Sequence, residues 1–184
     1  MLSVIQQEYD KLSVAEQKLL AFWGKVFFCE CSKLILLFLF FLIFKKSGEF
    51  MFVTLVLMSI RCRLGGLHLK TYQGCLFATF CIYVCAIMLL PAVISLTPVM
   101  AVFLLTGSMI IFAGIGPVIN PTRPALTKQQ IQKAKALSLA VTLVYMPFAY
   151  LFYDNRYIIC GTWIITIQAL QLVAANLLRK GSLL

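Results

Sequence analysis

Apolar residues form long blocks along this chain, and most polar residues lie in short stretches between them. Six blocks are candidate membrane helices, and they cover residues 26–44, 47–60, 74–95, 97–116, 135–152 and 156–178. A helix that crosses a bilayer core needs about 20 apolar residues, so the second block is short. We therefore predict an all-α integral membrane protein with about six transmembrane helices, the second tilted or re-entrant.

Capping residues at the ends of two blocks support these helices. Thr97 is followed by Pro98, which is the arrangement of an N-cap with proline at the first helical position. Thr127-Lys-Gln-Gln130 matches the capping-box pattern. It predicts a helix that begins there and enters the membrane near Ala134.

The first 24 residues are more polar than the rest of the chain. Ser3-Val-Ile-Gln6 and Ser13-Val-Ala-Glu16 both match the capping box, which predicts two short interfacial or cytosolic helices, the second with an apolar side. The segment lacks the apolar core and cleavage site of a signal peptide. We expect residues 1–184 to form one membrane-embedded domain.

Composition agrees with a membrane protein. The chain is 62% hydrophobic and 12% charged, and a soluble domain of this length could not bury so much apolar surface. Its 16 basic and six acidic residues give a net charge of +10. Because the basic residues lie in loops, they fit topology control, anionic lipid or an acidic partner, and we expect no nucleic acid.

The distribution of basic residues predicts the topology. With the N-terminus inside, twelve lysines and arginines fall in cytoplasmic segments and three in outer loops. This excess favours both termini in the cytoplasm. It also places the polar stretch 61–75 on the cytoplasmic side, where thiols remain reduced.

That stretch holds the candidate chemistry, because His68 is the chain's one histidine and Cys75 follows seven residues later. An imidazole can take a thiol proton and stabilise the thiolate nucleophile. One continuous helix would place both side chains on the same face. The alternative is that His68 only anchors a helix end.

The residues before His68 favour catalysis. Gly65-Gly66 permits unusual backbone torsions and the close approach of a substrate. Arg61 and Arg63 add fixed positive charge that would stabilise a thiolate or bind a carboxylate. The seven cysteines show neither a disulfide framework nor paired CxxC spacing, so we predict no metal and no cofactor.

The pattern Arg-x-x-x-Gly-Gly-x-His-x6-Cys, which runs from Arg61 to Cys75, resembles the signature of the accessory gene regulator B (AgrB) family. These are membrane endopeptidases that process a quorum-sensing propeptide in Gram-positive bacteria. The resemblance extends over nearly the whole chain. The segment from Gly116-Pro117 to Arg123-Pro124 is similar to the family's proline-rich loop, although the residues before Arg123 differ from the usual pattern.

The resemblance implies a thiol protease in the bacterial cell membrane. Cys75 would be the nucleophile and His68 its base, supported by Gly65, Gly66 and, on spacing, Arg61 rather than Arg63. Cleavage would leave an acyl-enzyme thioester, which a thiol or hydroxyl of the peptide then attacks to close a thiolactone or lactone ring. The family also implies a homodimer.

Two features of this chemistry stay open from the sequence. Backbone N–H groups near Gly65 and Gly66, or a helix N-terminus, would stabilise the oxyanion. No third catalytic residue stands out, because Asp154 falls on the opposite side and Asn120 and Gln73 are only candidates.

Basic residues of the inner loops are candidates for binding an acidic C-terminal segment of the propeptide. They are Arg63, Lys70, Arg123, Lys128, Lys133 and Lys135. Positive-inside topology alone would explain the same charges.

A small multi-span transporter of peptides or anions is the alternative function, since six spans and basic loops would serve it equally well. Away from the ends of the predicted spans, few ionisable residues are present, Glu30 and Lys33 being the exceptions. A metal-dependent protease fits less well, because the chain has one histidine and no HExxH motif.

Overall fold

The computed structural model of the chain describes the backbone of residues 14–66, 71–118 and 127–181, with side chains at 24, 27–66, 71–118 and 127–178. These residues form six helices, which confirms the predicted all-α fold. The helices are α1 (Val14–Ile43), α2 (Ser47–Leu64), α3 (Tyr72–Val93), α4 (Pro98–Ile115), α5 (Lys128–Leu151) and α6 (Arg156–Gly181).

The chain divides into two compact units, Met1–Phe40 and Phe41–Leu184. The first contains most of α1, which runs unbroken through Gly24. The expected boundary between a second short helix and the first span is therefore wrong. A single glycine costs a helix only about 1 kcal/mol, too little to end one. Within α1, Lys33 Nζ lies 2.6 Å from Glu30 Oε1, so these two ionisable groups pair with each other.

Among the residues whose side chains the structure describes, four helices are long and apolar enough to cross a membrane, namely α3, α4, α5 and α6 as far as Leu178. The predicted number of about six spans also includes α1, whose side chains are described only at Gly24 and from Phe27 onward, and the shorter α2. α2 continues to Leu64, past the predicted end at residue 60, and it carries Arg61 and Arg63 in its last turn.

Both predicted helix starts are confirmed. The Thr97 side chain accepts a hydrogen bond from the Met100 amide at 3.2 Å, with Pro98 at the first helical position. Thr127 and Gln130 form the reciprocal bonds of a capping box, at 3.3 and 2.9 Å.

The second unit is built around α6, which packs against α2, α4 and α5. Its buried face includes Cys160, Ile164, Ile165, Ala169 and Leu172. On α2 the buried positions are Phe50, Val53, Leu57, Ile60 and Leu64, which follow helical spacing. An apolar face of α2 therefore packs into this core.

Polar contacts fix the neighbours of α6. Near its start, Arg156 Nε lies 3.1 Å from Oε1 of Glu49, which is in the first turn of α2. The Tyr145 hydroxyl of α5 donates to the Ile158 carbonyl at 2.8 Å. Gly161 permits this approach, because a Cβ at that position would collide with the Tyr145 hydroxyl.

α3 contains one turn of π-helix, Cys85–Leu89, in which the Leu90 amide donates to the Cys85 carbonyl five residues earlier. Pro91 follows and has no N–H for the helical ladder. The Cys160 thiol of α6 lies 4.0 Å from the Ile87 carbonyl, so this irregular turn packs directly on the central helix.

Candidate active site

The first motif, Arg61 to Cys75, begins in the last turn of α2 and leaves the helix at Gly65. The Gly65 N–H caps the helix by donating to the Arg61 carbonyl at 2.9 Å. Its φ is +74°, which non-glycine residues rarely adopt. A Cβ built there would also collide with the Val118 carbonyl oxygen, so both torsion and space require glycine.

Gly66 is constrained differently. It has no positive φ, and a Cβ built there would lie 3.5 Å from Arg61 Nε and 3.6 Å from Gln168 Nε2, both ordinary contacts. The expected need for unusual torsions therefore applies to Gly65. Gly66 instead lies against the Arg61 guanidinium and the Gln168 amide.

The start of the second motif meets the first. The Val118 amide donates to the Leu64 carbonyl at 2.9 Å, and Val118 forms an isolated β-bridge with Gly65. This contact is possible because α4 ends at Gly116, whose φ of +71° turns the chain. The loop that follows α4 thus begins beside the Gly65–Gly66 turn.

Lys135 of α5 also reaches the end of α4. Its ammonium donates to the Ala113 carbonyl at 2.6 Å, and its side chain fills the space where a Cβ on Gly116 would be. A cation is favoured at the carbonyl end of a helix. This candidate for substrate binding therefore also holds α4 in place.

Gln168 was missed by the sequence analysis. It is 1% exposed on the central helix, and its Nε2 donates to the Gly65 carbonyl at 2.8 Å. A glutamine inside an apolar helix is itself a signal, because a buried amide needs a hydrogen-bond partner. Glutamine carries no charge, so Gln168 does not stand out among the ionisable residues of the predicted spans.

Cys75 lies in the first turn of α3 and is 7% exposed. Thr71 caps this helix, since its side chain accepts from the Gly74 amide at 3.2 Å and its carbonyl from the Cys75 amide at 3.1 Å. The positive end of a helix dipole favours an anion in this turn. The thiol is therefore shielded from solvent and placed where a thiolate is stabilised.

The expectation that one helix carries both His68 and Cys75 is wrong. α3 begins at Tyr72, and Thr71 before it is extended, with φ −104° and ψ 145°. The helix that carries Cys75 therefore does not extend back to position 68. His68 and Lys70 themselves lie outside the described residues, as do Asn120 and Arg123.

Of the other predicted basic residues, Arg61 is half-buried, whereas Arg63, Lys128 and Lys133 are exposed. Lys128 opens α5 and Lys133 follows in its second turn. These exposed side chains are free to meet a charged partner, unlike Lys135, which already donates to α4.

The helix start offers an oxyanion donor, and the Gly65 amide does not. The Gly65 N–H is already bonded to Arg61, and the Gly74 and Cys75 amides are bonded to Thr71. The amide of Gln73 is at the second helical position, where no intrahelical acceptor exists. Of the alternatives left open by the sequence, the Gly66 amide and the helix N-terminus therefore remain, and the Gly65 amide does not.

Fold and site together define a helical membrane protein with a shielded cysteine at a helix start and a glycine turn held by Gln168 and Val118. The family model described as Accessory gene regulator B (AgrB) matches residues 1–172. The chain belongs to this family, which is associated with the processing of quorum-sensing propeptides.

One relative, the "Putative AgrB-like protein" of Clostridium beijerinckii, is 29% identical over 148 residues. The match covers 80% of this chain and 72% of the relative. No solved structure matches the chain.

Proposed function

We propose that this protein is a membrane cysteine endopeptidase that removes the C-terminal segment of a quorum-sensing propeptide and enables the remainder to cyclise. The observation that carries the proposal is Cys75, buried in the first turn of α3 and preceded by a fixed glycine turn, in a chain of the AgrB family. The motif from Arg61 to Cys75 supports the same chemistry.

In this proposal His68 takes the proton of the Cys75 thiol, and the thiolate attacks the scissile carbonyl carbon. The Gln73 amide at the helix start stabilises the oxyanion. When the C–N bond breaks, His68 returns the proton to the leaving amine, and a thioester to Cys75 remains. His68 then takes the proton of a thiol or hydroxyl of the bound peptide, which attacks the thioester carbonyl; the ring closes, the C–S bond to Cys75 breaks, and the Cys75 thiolate takes the proton back from His68.

The packing of the Gly65 turn against α6 supports cyclisation over hydrolysis. Gln168, which binds the turn, lies twelve residues after the start of α6, or about 18 Å along the helix axis. It is near the middle of the apolar stretch Arg156–Leu178. Apolar helices around the turn would exclude water from the thioester.

The proposal includes a topology and partners. Multiple spans would place both termini and the site on the cytoplasmic side of the bacterial membrane, as the distribution of basic residues predicts. An acidic C-terminal segment of the propeptide would contact Lys128 and Lys133. From the family we also propose a homodimer.

The proposal is tested by substitution of the two reacting residues. Cys75→Ala and His68→Ala, in proteoliposomes with a propeptide encoded beside the gene, should each abolish cleavage, and the double variant should be no worse than either one. Cys62→Ala is the matched control, because Cys62 is an exposed thiol near the end of α2. Cleavage by Cys75→Ala would refute the assignment, and transport without cleavage by the wild type would favour the transporter.

A further inference from the structure

The buried amide of Gln168 makes one long-range hydrogen bond in the structure. Its Nε2 crosses from the middle of α6 to the Gly65 carbonyl, 103 positions earlier in the chain. A methionine or leucine would fill the same space without an amide to desolvate. The glutamine therefore has a purpose other than packing.

The orientation of this amide is determined by its partner. A carbonyl oxygen only accepts hydrogen bonds, so Gln168 must present its NH2 group to Gly65. Its own Oε1 is buried and bonds no described residue. The side chain leaves one buried acceptor without a described partner while it binds Gly65, which is a cost expected where the bond has a function.

The carbonyl of Gly65 controls the chain that follows. A peptide unit is planar, so fixing the Gly65 carbonyl also fixes the direction of the Gly66 N–H and the position of the next Cα. Two other bonds hold the turn, from Gly65 to Arg61 and from Val118 to Leu64, and both use only backbone atoms. Gln168 supplies the side-chain bond to the turn, and residue 68 comes two positions after Gly66.

We infer that Gln168 is a positioning residue for the proposed catalytic motif, because it holds the Gly65–Gly66 peptide from which the chain continues to the proposed base at position 68. This inference rests on the proposed function, because it concerns the motif that carries the proposed catalytic pair. A neutral amide takes no proton at neutral pH, so the role is one of positioning. Loss of the Gln168 amide should therefore lower the rate of the chemical step and leave substrate binding nearly unchanged.

The test is Gln168→Met, which keeps length and apolar packing and removes the donor. In proteoliposomes with the propeptide, kcat should fall about tenfold, the cost of one hydrogen bond, with KM changed by less than about twofold. The matched control is Gln171→Met, one turn further on α6. The Gln171 Oε1 is also buried without a described partner, but no bond joins this residue to the turn, so its kcat should stay within about twofold of wild type.

A second measurement needs no peptide. The alkylation rate of Cys75 by iodoacetamide reports its thiolate, with the exposed Cys62 as reference. Gln168→Met should slow alkylation of Cys75 and leave that of Cys62 unchanged. If this variant does not fold, Gln168→Asn replaces it. The shorter side chain keeps an amide, but its NH2 group no longer reaches the Gly65 carbonyl. Wild-type kcat and alkylation in a folded variant would overturn the inference.

The outcomes separate this inference from the proposed function. A wild type that neither cleaves propeptide nor alkylates faster at Cys75 than at Cys62 would refute the proposed function. A wild type that cleaves, together with a Gln168→Met variant that cleaves equally fast, would refute only the role of Gln168. Equal losses in Gln168→Met and Gln171→Met would show a general packing effect and overturn it as well.

Discussion

The backbone amide of Val118 donates to the carbonyl of Leu64 at 2.9 Å and thereby joins the end of α4 to the end of α2. The two sequence motifs of this chain are far apart in the sequence, and this bond brings their ends together. Val118 also forms a β-bridge with Gly65, so the start of the segment after α4 is held against the turn that precedes the proposed catalytic pair.

The two adjacent glycines should respond differently to alanine. Gly65→Ala places a side chain at positive φ and against the Val118 carbonyl, which should cost about 1–3 kcal/mol of stability and abolish cleavage. Gly66→Ala meets only ordinary contacts and should keep activity within a few fold. Cleavage rates and thermal unfolding in detergent give the comparison, and a Gly65→Ala enzyme as active as Gly66→Ala would contradict it.

The exposed Lys128 and Lys133 should respond to substitution differently from Lys135, which is hydrogen-bonded to α4. Charge reversal of Lys128 and Lys133 together should raise KM for the propeptide at low salt, with little change in kcat, because an anionic segment is no longer attracted. The effect should fade as salt shortens the Debye length to about 8 Å. If KM is unchanged at low salt, these charges serve only to orient the protein in the bilayer.

Lys135→Met provides the contrast to that double reversal. It removes the hydrogen bond from Lys135 to the Ala113 carbonyl, so it should lower the free energy of unfolding by about 1 kcal/mol. Thermal unfolding should show this loss at low and at high salt, with KM affected less than in the double reversal. An unchanged unfolding midpoint would mean that the bond contributes nothing to stability.

Topology can be tested with single cysteines on a cysteine-free background and an impermeant maleimide. Residues 45, 71 and 130 are all exposed, so accessibility depends on the side of the membrane. We expect a probe at Lys45 to react in intact cells, and probes at Thr71 and Gln130 to react only after permeabilisation. Reaction of the Thr71 probe in intact cells would place the site outside.

The close contact of α5 with α6 predicts that the stability effects of substitutions at Gly161 and Tyr145 are coupled. Gly161→Ala should cost about 1–3 kcal/mol, because its methyl group meets the Tyr145 hydroxyl. Tyr145→Phe removes that hydroxyl, so the double variant should lose less stability than the two single variants summed. Gly107→Ala, with nothing near its added methyl group, is the control and should be neutral. If the stability losses of the two single variants simply add in the double variant, the contact between Gly161 and Tyr145 is contradicted.

The sequence predicted helices best where local chemistry decides the boundary. Thr97 and Thr127 cap their helices as predicted, because capping depends on residues three apart. The boundary expected inside α1 failed for a different reason. It followed a change from polar to apolar residues, and a helix backbone continues across such a change when no strong breaker is present.

The site was predicted less completely because its contacts are remote in sequence. The capping role of Thr71 could have been inferred from its residue type, and it would have excluded one helix through positions 68 and 75. The hydrogen bonds from Val118 to Leu64 and from Gln168 to Gly65 could not have been inferred, because no local sequence pattern links these residues. Such pairs become visible only when the helices are packed together.

The π turn at Cys85–Leu89 has a consequence for comparing relatives of this chain. In this turn the helical bond spans five residues instead of four, so α3 contains one residue more than a regular helix of equal length. A relative without that residue would keep its cysteine at the helix start, but everything beyond the turn would be rotated by about 100°. A one-residue gap in a sequence alignment at this turn would therefore mark a change in helix type, while the start of α3, which carries Cys75, would keep its position.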